Sequence, residues 1–151
     1  MKHLRICQRI LVASVYLVAG AAFAAEPEDI IKYRQSVMKA NGAHMAAAGA
    51  IINGKVDFKG QLGDHAKALQ AINKDINSLF PKDSDFGETK ALDAVWKNNA
   101  DFQKRAKDSA QKAGALAKTV AAGDSKNYAA RFKELSDSCK ACHKDFRKEE
   151  Q

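Results

Sequence analysis

The chain has 151 residues, a formal net charge of +7, 28% charged residues and only 2 prolines. The length suits one domain, and abundant Ala, Lys, Asp, Gln and Leu with few β-branched runs favour an all-α fold over a sheet protein. Basic and acidic residues interleave along the chain, so the positive balance excludes no acidic partner but marks no nucleic-acid surface.

The first segment reads as an export leader. Lys2, Arg5 and Arg9 form a positive start, Ile10 to Ala22 is an uncharged and mostly apolar run, and Ala22-Phe23-Ala24 fits small-x-small cleavage. The apolar run is short against the ~20 residues of a membrane span. Residues 1–24 are therefore expected to be a cleaved Sec signal peptide, and 25–151 the mature domain. Three of the seven net positive charges leave with it, so the mature chain carries +4. The protein is expected to be exported, and no second transmembrane candidate follows.

Four helical segments follow. The first spans about 27–52: Pro27 suits a first turn, Glu28 and Asp29 favour the positive end of the helix dipole, and Asn53-Gly54 ends it. Ile30, Ile31, Val37, Met38, Met45, Ile51 and Ile52 supply its apolar side. The second spans about 61–80, with Leu62, Ala66, Leu69, Ile72, Ile76 and Leu79 at 3–4 spacing, and Pro81 closes it. Residues 81–88 are rich in turn formers and predict a loop. The third spans about 89–122, carries Val95, Trp96, Phe102, Ala106, Ala113, Leu116 and Val120, and is capped by Gly123. The fourth begins after Asp124 or Ser125 as N-cap. Tyr128, Phe132, Leu135, Cys139, Cys142, His143 and Phe146 then mark one face. Short links between four helices predict an antiparallel up-down-up-down bundle.

The fourth segment ends in Cys139-Lys140-Ala141-Cys142-His143, the C-x-x-C-H pattern of covalent haem c attachment. The thiols add to the haem vinyl groups and the histidine becomes an axial iron ligand. On a helix, positions 139, 142 and 143 share a face, so one helix ties the cofactor twice and ligates it once. Cys7 leaves with the leader. A structural zinc site usually needs four Cys or His ligands, and no second cysteine pair exists; a thioredoxin-type motif needs strands, and none is predicted.

These residues resemble the class II cytochromes c, the cytochrome c′ group and its relative cytochrome c-556. Tyr33-Arg34-Gln35-Ser36-Val37-Met38 resembles the family's first-helix motif, Trp96 stands where many members carry one, and Cys139 to Arg147 resembles the terminal motif. The resemblance implies a four-helix bundle with one haem c near the C-terminus of the chain. It implies that Met38 faces the iron, bonded to it as in the c-556 type or leaving it five-coordinate as in typical cytochromes c′. A thioether is a soft ligand that raises the iron potential. Met38-Lys39-Ala40-Asn41-Gly42 looks closer to the six-coordinate members, and Gly42, one turn on, would let the haem plane approach the helix. The resemblance places Arg34 near a propionate and Arg147 on the proximal side of the haem. Met45 reads as core, and His44 and His65 as surface histidines.

The first expectation is therefore a periplasmic monohaem electron carrier of a Gram-negative bacterium. Its haem is held by Cys139 and Cys142 with His143 and Met38 as axial ligands, and it serves redox partner proteins of a respiratory or photosynthetic chain. The alternative is a five-coordinate cytochrome c′ that takes nitric oxide or carbon monoxide. Neither is an enzyme, and peroxidase chemistry would want a distal acid–base residue that the sequence does not offer. The resemblance also implies a homodimer through the first two helices.

Overall fold

Pro27 starts the first helix as the sequence requires: its ring presets the backbone angle, and its missing N–H is one the first turn does not use. In a computed structural model, which describes residues 25–149, this helix α1 spans Pro27–Ile52. It is followed by α2 (Leu62–Lys74), the single turn α3 (Ala94–Lys97), α4 (Asn99–Ala121) and α5 (Tyr128–Phe146). The leader and its cleavage site lie outside the described residues. Among the described residues no helix is long and apolar enough to cross a membrane.

The four long helices form the antiparallel up-down-up-down bundle. Two of them end alike. After α1, Gly54 takes φ +68° while its N–H donates to Ile51 O and that of Lys55 to Ala50 O; after α4, Gly123 takes φ +67° with matching bonds to Val120 O and from Asp124 to Thr119 O. Both are left-handed caps that satisfy the last carbonyls, and glycine pays no Cβ penalty there.

The second and third segments depart from the expected bounds. The second breaks at Asp75 and resumes as a 3-10 turn, Ile76–Leu79, which lets Ile76 turn inward. The third does not begin at residue 89. Residues 89–93 run beside the end of α5: the Leu92 N–H donates to Phe146 O (3.0 Å), and that of Lys148 to Lys90 O (2.9 Å). This non-local pairing overrides local helix propensity. A further break at Asn98 separates α3, which carries Trp96, from α4. The last segment opens with a 3-10 turn, Ser125–Asn127, with Asp124 at the N-cap position but no side-chain cap bond, and α5 follows from Tyr128.

The core has two parts. Ala48, Ile51, Leu62, Ala66, Leu69, Ala113, Leu116, Ala117 and Leu135 fill one end, with Met45 packed against them. Ile76, Val95, Phe102, Ala106 and Phe146 fill the other, with Met38, Phe80 and Trp96 against them. Phe80, Phe102 and Phe146 stack edge to face, with centroids 4.8 and 5.3 Å apart. Such pairs add about 0.5–1.5 kcal/mol each beyond the area they bury. Ile30, Val37 and Ile72 are not core residues. They line an outer groove between α1 and α2 with Tyr33, which is 64% exposed.

Candidate functional site

The C-terminal motif sits on the last two turns of α5, where the apolar stripe from Phe132 and Leu135 continues into Cys139, Cys142 and Phe146. Cys139 packs against the first core cluster and Cys142 against the second. Both thiols are unbonded and half-buried, and with His143 they line one cavity of about 480 Å³. That size lies within the roughly 300–1,000 Å³ of cofactor and ligand pockets. α1 contributes Arg34, Met38 and Asn41 to the same cavity; Phe80, Phe102 and Phe146 supply aromatic wall. Burial pushes the Cys139 thiol up and the Cys142 thiol to about 11, the latter helped by the neighbouring Cys139.

Arg34 is only 3% exposed. Its guanidinium donates to Leu79 O (3.1 Å), Ser84 Oγ (3.0 Å), Ser84 O (3.0 Å) and Thr89 Oγ1 (2.8 Å). It also lies over the Phe80 ring, 4.6 Å from the centroid. Desolvation lowers its pKa, yet a guanidinium stays protonated at any physiological pH. The expected propionate residue thus lines the cavity while four of its donor bonds clasp the loop between α2 and α3. Ser84 relays the clasp, its hydroxyl donating to Pro81 O, which also accepts from Trp96 Nε1.

Met38 is half-buried, packs against the second cluster and lines the cavity. Gly42 is exposed with open space around it and does not line the cavity; Asn41 takes that place. Asn41 Oδ1 accepts from Asn73 Nδ2 (3.1 Å), which also donates to Leu69 O (2.8 Å). Asn73 is 1% exposed, and its Oδ1 has no partner in this wall. Arg147 is exposed at the rim, its N–H on His143 O (3.0 Å). Met45 is core packing, as expected. His44 and His65 are not plain surface residues: they are half-buried and face each other.

Sequence reasoning missed Ser84, Thr89 and Asn73, and gave Asn41 no role. Asn73 had a signal, since it follows Leu69 by four residues and so stands in the α2 core register. Ser84 and Thr89 had none, because their partner lies 50 and 55 residues away.

A helical bundle with a terminal C-x-x-C-H on a cavity-facing stripe defines a class, the bundle-type c cytochromes. Comparison with known proteins narrows it. The profile of the family described as Cytochrome C′ matches residues 29–147. The cytochrome c′ of Pararhodospirillum photometricum is 35% identical over 124 residues, covering 82% of this chain and 99% of that protein. The solved cytochrome c prime of Shewanella frigidimarina superposes with a TM-score of 0.78 at 30% identity, over 84% of this chain and 100% of that one. A variant cytochrome c prime from Alcaligenes xylosoxidans, solved as a nitric oxide complex, gives 0.77 at 26%, over 85% and 100%. The chain belongs to the cytochrome c′ family.

The family carries one covalently attached haem c per chain, and the residues present fit it. Two thiols and an imidazole converge from one helix face, and the walls are largely apolar and aromatic. Lys39, Lys90 and Arg147 line the same cavity and offer positive charge to carboxylates.

Proposed function

We propose that the protein is a periplasmic cytochrome c′ whose Met38 side is a small-molecule site for nitric oxide or carbon monoxide. The observation that carries this reading is the single cavity that Cys139, Cys142 and His143 share with Met38. Cys139 and Cys142 would hold the haem by thioethers, and His143 would ligate its iron. When bound, the haem supplies an iron centre for redox change and for small ligands. The chain's own part is burial and selection. Met38, Phe80 and Phe102 offer an apolar wall that excludes bulk water and admits small neutral molecules. Arg34 fixes the loop that carries part of that wall, with a propionate as a further contact. Arg147 lends positive charge on the proximal side. The nitric oxide complex of the Alcaligenes relative supports this assignment.

A second reading follows from Met38 itself. A thioether in the cavity wall is a competent sixth ligand, and its bond to iron would make the protein an electron carrier for acidic or other redox partners. In both readings the protein binds or carries rather than catalyses. Residues 1–24 would direct export and be removed.

Absorption spectra of ferric and ferrous protein, with and without carbon monoxide, separate the two for wild type and Met38→Ala. The gas-binding reading expects a high-spin wild type that takes carbon monoxide readily. A low-spin wild type that becomes high-spin and gas-binding only in Met38→Ala establishes ligation instead. Covalent haem retained in the Cys139→Ala, Cys142→Ala double variant would overturn both.

A further inference from the structure

On the α1–α2 seam, apart from the cavity lining, His44 and His65 stand ring to ring. Their Nδ1 atoms are 3.0 Å apart, the ring centroids 5.3 Å and the planes 55° to one another. Both side chains are half-buried. Ala48, one turn after His44, and Ala66 and Leu69, next to His65 and one turn beyond it, are at most 1% exposed. The first core cluster therefore fixes the backbone that carries both histidines, while the rings remain reachable from solvent.

Two imidazole nitrogens this close share a hydrogen bond when one is a donor and the other an acceptor. A metal ion can take the place of that bond. The donor ring moves its proton to Nε2, both Nδ1 lone pairs turn to the ion, and no net proton is released. Two nitrogens bound to a first-row ion at about 2.0–2.1 Å and at right angles lie roughly 2.9 Å apart, whereas the tetrahedral angle sets them about 3.4 Å apart. The observed spacing is that of an ordinary hydrogen bond, and a small ring rotation brings both nitrogens within the bite of one ion. Imidazole suits Cu2+, Ni2+ and Zn2+, and Cu2+ stands at the top of the divalent affinity order.

We propose that His44 and His65 form a bidentate site for a divalent transition-metal ion, Cu2+ before Zn2+, on the α1–α2 seam. The described residues contain no group of three or more His, Cys, Asp and Glu side chains placed to hold an ion, so water completes the coordination. The site is independent of the cavity and of what Met38 does.

Isothermal titration of the haem-loaded chain with Cu2+, together with electron paramagnetic resonance, tests it. Expected are one ion per chain, superhyperfine splitting from two nitrogens, and weaker binding of Zn2+. His44→Gln and His65→Gln should each weaken Kd by tenfold or more, which is about 1.4 kcal/mol or above. Circular dichroism and an unchanged haem spectrum check that the variants fold. As a measure that needs no variant, Cu2+ should protect both histidines of the wild type from carbethoxylation. Wild-type binding no tighter than that of the double variant, or absent protection, would show that the pair only shares a proton and overturn the site.

Discussion

Arg34 has to meet two demands with one side chain. It is a cation taken out of water, and its compensation is four hydrogen bonds to neutral oxygens and the face of Phe80. Hydrogen bonds to a charged group contribute about 1.5–3 kcal/mol each before shared costs are counted, and buried acceptors left alone cost comparably. Arg34→Met should therefore lower the unfolding free energy by about 2–4 kcal/mol, read as a fall in the urea midpoint at unchanged slope. Arg34→Lys should rescue only part, since a point charge cannot span Leu79, Ser84 and Thr89 together. A change below the error of the midpoint would refute the clasp. The residue chemistry was legible in the sequence where it is local. Cys139, Cys142 and His143 declare themselves because covalent attachment needs a fixed spacing along one helix. The clasp was not legible, because its partners meet only after α1 has packed against a loop some 45–55 residues further on.

Between elements, α1 comes close to α5 at Gly49. A Cβ built there would lie 2.9 Å from Phe132 Cζ, inside any normal contact. Gly42, on the same helix, meets open space. The two glycines therefore predict opposite signs. Gly49→Leu should destabilise by about 1–3 kcal/mol through overpacking. Gly42→Ala should stabilise by about 0.5–1 kcal/mol through helix propensity and a less flexible unfolded chain. Thermal unfolding of the two variants beside wild type checks this; equal shifts of one sign would contradict the packing described. Four amphipathic stripes gave the helices and their order away. Their breaks did not show, because Asp75 and Asn98 are ordinary helix-compatible residues in sequence. What interrupts the helices is the need to turn Ile76 into the core and to lay residues 89–93 along the end of α5.

At the scale of the molecule, the outer groove of α1 and α2 is one apolar surface that the bundle leaves partly uncovered. Tyr33, Val37 and Ile72 lie along it with Ile30 and Leu79. A second copy of the chain is expected to pack on this partly exposed apolar groove. Sedimentation equilibrium should find a dimer. Tyr33→Glu with Ile72→Glu should shift it to monomer with little loss of helix content, since both side chains are at least partly exposed. A monomeric wild type, or a dimer indifferent to both charges, would refute this interface.

The two cysteines carry one more consequence. Cys139 packs against one half of the core and Cys142 against the other, so a haem bonded to both would touch the two halves. Covalent attachment therefore does more than retain a cofactor. It would tie the two core clusters to one another, and the loaded chain should unfold as one cooperative block in thermal melts.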